Sequence, residues 1–132
     1  MAADWHKAAI AGNTEVIARQ LADGKPVDAL DGYGQTALML AARHGHDAAV
    51  ALLIAHGAAL DVTAKYGLSA LMLAVVNHRA SIAEALAAAG ADLSLRGSGD
   101  GGFYGKTAAQ LARDNGQEAL ADLLDNLGKA RE

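Results

Sequence analysis

Gly105-Lys106-Thr107, preceded by the glycine-rich stretch from Gly97 to Gly102, has the residue types of a phosphate-cradling loop. Such a loop needs a glycine, four residues, then Gly-Lys-Ser/Thr, so that successive backbone amides wrap the phosphates. The spacing fails: five residues separate Gly99 from Gly105, three separate Gly101 from it, and Asp100 stands where the first glycine belongs. The five histidines are the second candidate, with His44 and His46 two apart. On a helix end that spacing sends the rings to different faces, so no shared metal is expected. The lack of cysteine removes thiolate metal sites, disulfides and cysteine nucleophiles together. No Ser, His and acidic set stands out beyond what any chain of 132 residues offers, so neither catalysis nor a cofactor is expected.

The elements that position these residues are bounded first by composition. At 132 residues, 52% hydrophobic and 20% charged, the chain fits one soluble domain. Aromatics make up only 4%, so the interior must rely on Ala, Leu, Val and Ile, which suit closely packed helices. The net charge of −4 and the absence of any Lys/Arg run argue against nucleic acid as a partner. The start, Met1-Ala2-Ala3-Asp4-Trp5-His6-Lys7, lacks the basic and apolar regions of a signal peptide, and no window reaches the length of a membrane span. No membrane contact is expected, and a cytoplasmic location is the default; a leader already removed would leave no trace.

Aligned against itself, the chain repeats every 33 residues: Tyr33-Gly34-Gln35-Thr36-Ala37-Leu38-Met39-Leu40-Ala41 lies over Tyr66-Gly67-Leu68-Ser69-Ala70-Leu71-Met72-Leu73-Ala74. Residues 31–63 and 64–96 share twelve identities without a gap. The frame extends back to Ala8, Ala9, Gly12 and Gly24. It extends forward to Tyr104-Gly105-Lys106-Thr107-Ala108, where the step from Ser69 to Thr107 is 38 residues and so contains five extra. Thr36, Ser69 and Thr107 have side chains that can accept from the unpaired amides of a helix start, which predicts a helix after each. The apolar sets Leu38, Leu40, Ala41 and Val50, Leu53, Ile54 have helical spacing, and Gly57 and Gly90 can supply the left-handed residue that ends a second helix.

This phrasing resembles the ankyrin-repeat family, whose pattern runs Gly-x-Thr-Pro-Leu-His-x-Ala-Ala, then Gly-His, then an aliphatic helix ending Leu-Leu-x-x-Gly-Ala-Asp. Residues 34–42, 45–46 and 52–58 match it best. The resemblance implies an all-α solenoid of stacked helix-turn-helix units with finger loops. Its divisions are an N-terminal capping repeat over 1–30, repeats over 31–63 and 64–96, and a C-terminal capping repeat with the insertion over 97–132. Outer polar positions fit the caps: Glu15, Arg19 and Gln20 in the first, Gln117, Glu118 and Asp122 in the last.

The chain also departs from the pattern. Ala37, Ala70 and Ala108 replace its Pro, and Met39, Met72 and Gln110 replace its His, leaving His6 alone in that slot. His78 stands where Gly45 closes the preceding repeat's first helix, in a turn that prefers positive φ, and reduced local stability is expected there.

The resemblance further implies binding of a partner protein through the concave face of fingers and first helices. The variable surface slots are Gly32, Tyr33, Gln35, Arg43 and His44, then Lys65, Tyr66, Leu68, Val76 and Asn77, then Phe103, Tyr104, Lys106, Asp114 and Asn115. The three tyrosines share one slot, so either they form a contact ridge with Leu68, Val76 and Phe103 or their rings pack on neighbouring fingers. Arg43, Lys65 and Lys106 favour an acidic partner, with Asp100 and Asp114 diluting that charge. The inserted loop is either a tolerated insertion or a contact loop. The alternative function is a self-associating or structural scaffold, natural or engineered, for which the stripe Leu120, Leu123, Leu124, Leu127 is a candidate surface. A monomer is expected.

Overall fold

In the computed structural model, which describes residues 2–99 and 102–132, three hydroxyl residues set where the later first helices begin. The Thr36 hydroxyl accepts from the Met39 amide at 3.2 Å, Ser69 from Met72 at 3.3 Å, and Thr107 from Gln110 at 3.3 Å. Each such cap contributes about 1 kcal/mol. Two caps are reciprocal: the Thr107 amide donates to Gln110 Oε1 at 2.9 Å, and the Thr36 amide donates to the Met39 sulfur at 3.4 Å. Asp100, with its expected charge and its place in the loop pattern, lies outside the described residues.

Among the described residues eight α-helices follow one another as four hairpins: α1 (Ala2–Ala11) with α2 (Thr14–Ala22), α3 (Ala37–His44) with α4 (Asp47–Ala55), α5 (Ala70–Val76) with α6 (Ala80–Ala88), and α7 (Ala108–Asp114) with α8 (Glu118–Ala130). The first helices stack in one row, α1 on α3 on α5 on α7. The second helices stack behind them, α2 on α4 on α6 on α8. No single hairpin buries its own apolar face, so stability comes from this stacking. Helices α3 and α5 lie between neighbours in the stack, burying Ala37 through Ala42 and Ala70 through Val75, which explains their run of Ala, Leu and Met. Trp5 is fully buried in α1 and anchors the first hairpin, so one large aromatic joins the small aliphatics inside.

Side chains then tie successive hairpins. His46 Nε2 meets the Ile10 carbonyl at 2.7 Å, Arg79 Nε donates to the Arg43 carbonyl at 3.4 Å, and Gln117 donates to the Val75 carbonyl at 2.8 Å. In each case the residue opening a second helix satisfies a carbonyl at the end of the preceding first helix. Gln117 therefore turns inward rather than decorating the outer face, whereas Glu15, Arg19, Glu118 and Asp122 are exposed as expected. The fingers are linked too, Ala59 N–H donating to Asp28 at 2.9 Å and Asp92 N–H to Asp61 at 2.8 Å, with the two acceptors one repeat apart.

The Leu120–Leu127 stripe is split. Leu120 and Leu124 are core, Leu127 is half-buried against it, and Leu123 is exposed. Among the described residues, no helix is long and apolar enough to cross a membrane.

Candidate protein-binding cleft

The fingers and first helices of the second and third hairpins enclose a cleft of about 590 Å³, with Phe103 from the last finger closing one side. Its floor comes from Leu68, Leu73 and Val76, its rim from Tyr33, Gln35 and Arg43, and the rest from Ala64, Lys65, Tyr66 and Asn77. Nine of the fifteen variable surface slots named from the sequence line one space: Tyr33, Gln35, Arg43, Lys65, Tyr66, Leu68, Val76, Asn77 and Phe103. Gly32, His44, Tyr104, Lys106, Asp114 and Asn115 do not line it. Ala64 and Leu73 were not foreseen. Leu73 stands one helical turn before Val76, and that i,i+3 relation is the signal that places both on one face of α5.

The tyrosines do not share one environment. Tyr33 and Tyr104 are 84% and 77% exposed, while the Tyr66 ring packs on Phe103 with centroids 5.5 Å apart. Tyr66 also takes φ 65°, a left-handed conformation costly for a bulky side chain. The inserted finger supports it: Ser98 N–H donates to the Tyr66 carbonyl at 2.7 Å, and Gly99 lies against the ring. The finger closes on itself, with Gly97 N–H donating to the Lys106 carbonyl and Gly105 N–H to the Gly97 carbonyl, each at 2.9 Å. Tyr33 reaches the rim differently, its amide and that of Gln35 both donating to Asp31 Oδ1 at 2.8 and 2.9 Å.

Leu68 is only 5% exposed, so it supplies floor rather than a projecting contact. Lys106 is paired with Asp114 and does not add free positive charge. Asn115 donates to the Val75 carbonyl at 3.1 Å and is a packing residue. The His44 and His46 rings do not diverge to different faces as their spacing on a helix end predicts: His46 opens α4 beyond the Gly45 turn, and the two rings stack with centroids 6.5 Å apart. The basicity of His44 is lowered by burial, then by Arg43, His46 and Arg79 nearby. The cleft walls offer a guanidinium, an ammonium, two side-chain amides, two phenols and apolar surface. Among the described residues the lining holds no carboxylate or imidazole. Arg and Lys beside amides and aromatics are equipped to bind.

Four stacked helical hairpins with linked fingers define a helical-repeat protein whose contacts run between neighbours. The chain belongs to the ankyrin-repeat family: residues 5–97 match ankyrin repeats, in three copies. No curated protein matches the chain significantly. The α7/α8 hairpin lies beyond the matched residues and continues the same stack. Ankyrin repeats are in general modules for protein–protein interaction, and their typical members are not catalysts.

Proposed function

We propose that the chain captures a partner protein in the cleft between Tyr33, Arg43, Val76 and Phe103, and that it does no chemistry on what it binds. The supporting observation is that nine of the variable slots of the repeat line one cleft with apolar and polar walls, the anatomy of a binding site. We read the stack as four repeats, 1–30, 31–63, 64–96 and 97–132, the outer two acting as caps.

The test is affinity capture from the source cell with the parent chain beside Tyr33→Ala and Val76→Gln. Tyr33 is exposed, and Val76 is partly buried against the core, so melting is measured beside capture. Loss of the same partner by both variants, with unchanged melting, supports the reading; full retention by both refutes it.

Self-association is the second reading, favoured by exposed Leu123, which with Ala119, Leu127 and Ala130 forms an apolar hollow on α8. Light scattering of the parent and Leu123→Gln decides it: a concentration-dependent mass that the variant abolishes is the expected signature.

A further inference from the structure

The cleft has one sign of charge in a protein that has the other. The chain carries fifteen acidic against eleven basic residues, yet among the described residues the cleft lining holds Arg43 and Lys65 and no Asp or Glu. The contrast with other hollows is direct: at the N-terminal end Asp4 and Asp23 stand among Lys7, Arg19 and Lys25.

Several other cations are already committed to the fold. Lys106 pairs with Asp114. Arg113 pairs with Glu118, Asp122 and Asp125 at 3.2, 3.0 and 3.2 Å. Arg79 caps the Arg43 carbonyl, and Arg96 donates to the Gly105 carbonyl at 2.6 Å. Among the described residues the Arg43 guanidinium makes neither an ion pair nor a hydrogen bond, and Lys65 has only the Tyr66 ring, 5.0 Å from its ammonium. Two cations thus line an apolar cleft, and among the described residues no carboxylate pairs with either.

An apolar group seated on Leu68, Leu73 and Val76 would strip water from both. Removing water from an unpaired cation is unfavourable unless an anion replaces it. A partner that filled the floor without carboxylates would therefore lose much of what apolar burial provides, and one bearing Lys or Arg would meet repulsion as well. Polar capacity remains for a peptide backbone. The Gln35 side-chain amide makes no hydrogen bond among the described residues, and Asn77 uses only its Nδ2, donating to the Leu73 carbonyl at 2.8 Å.

We propose that the occupant is a short segment of a partner protein in which a bulky apolar side chain is flanked by Asp or Glu. The apolar side chain seats on the floor, and the carboxylates engage Arg43 and Lys65. This rests on the cleft being the binding site. Nucleic acid fits poorly, because two cations amid an overall charge of −4 do not make the continuous basic track that a phosphate backbone requires.

The probe is a set of short, end-blocked fluorescent peptides, each with one central Leu, Phe or Trp flanked by Asp or Glu, measured by polarisation against the whole chain. Matched sets carry Asn/Gln or Lys at the flanks. The acidic set is expected to bind about tenfold or more tightly than the amide set, to weaken as salt is raised, and to lose a similar factor on Arg43→Gln/Lys65→Gln. That double variant should melt like the parent, since neither side chain pairs within the fold. Equal binding of acidic and amide sets overturns the proposal, as does absence of acidic-set binding, an unaffected double variant, or equal competition by a single-stranded oligonucleotide.

The captured partner separates the two readings. Capture lost on Val76→Gln but indifferent to salt and to the double variant leaves the cleft as the site and removes the acidic segment. Capture indifferent to Val76→Gln removes the cleft itself.

Discussion

Replacing His78 by Gly should raise the stability of the fold. His78 has φ 59°, while the corresponding residues of the other hairpins, Gly12, Gly45 and Gly116, take 72°, 82° and 85°. For an L-residue the left-handed region costs roughly 1–2 kcal/mol, with His toward the lower end because it is among the better-tolerated residues there. Glycine removes that strain but returns roughly 0.5–1 kcal/mol through the greater freedom of the unfolded chain. The His78 imidazole is exposed and makes no hydrogen bond among the described residues, so nothing else is lost. The net gain is about 0.5 kcal/mol. At roughly 2 cal/mol/K of unfolding entropy per residue this is a rise of about 2 °C in Tm, read by calorimetry or circular dichroism. Two reciprocal variants calibrate it. Gly116→Ala, where a Cβ meets nothing within 4 Å, should show the backbone cost alone. Gly45→Ala should cost more, because its Cβ would stand 2.8 Å from the Arg79 guanidinium and dislodge the bond to the Arg43 carbonyl. An unchanged or lowered Tm for His78→Gly would refute the reasoning.

Leu68→Ala should destabilise the chain by about 2–4 kcal/mol, as expected of a core truncation, so it reports stability and Tyr33→Ala is the cleaner probe of recognition; equilibrium denaturation checks this. Arg131→Ala should cost about 1 kcal/mol, because its guanidinium donates to the Ala91 and Ala87 carbonyls at 2.8 and 2.6 Å and thereby caps the end of α6 from the end of α8. Hydrogen exchange should then quicken at the end of α6 rather than throughout the chain. Because the folded state holds His44 below its ordinary value of 6.5, the unfolded chain takes up that proton first as pH falls, so stability declines below about pH 6.5. His44→Gln should flatten that part of a Tm-against-pH profile, and an unchanged profile would exclude His44 as its source.

The stack was legible because its causes are local and repeated. Thr36, Ser69 and Thr107 announce helix starts by hydroxyl chemistry alone, and the spacing of Leu38, Leu40 and Ala41 fixes the buried face. The positive φ at His78 followed from its register with Gly45. What the repeat could not convey was how neighbouring fingers differ. Tyr33-Gly34 and Tyr66-Gly67 are the same dipeptide in the same slot, yet one ring is free and the other is turned onto Phe103. Lys106 looked like its basic neighbours until α7 brought Asp114 beside it, two turns along in a helix whose first residue lies two positions after the lysine.

The difference between the two tyrosines traces to the five-residue insertion, and this gives that segment a structural consequence that composition alone did not suggest. Ser98 holds the Tyr66 carbonyl, Gly99 leaves room for its ring, and Phe103 supplies the face on which the ring rests. A side chain at Gly99 would come within 3.3 Å of the Tyr66 ring, so the small residue is suited to that contact. The left-handed backbone of Tyr66 would be hard to sustain without such support, since strain of this kind persists only where surrounding contacts over-determine it. The described part of the insertion thus supports Tyr66, which lines the cleft in the third hairpin together with Lys65 and Val76. A site built on an otherwise regular repeat thus acquires its asymmetry from the one place where the period breaks.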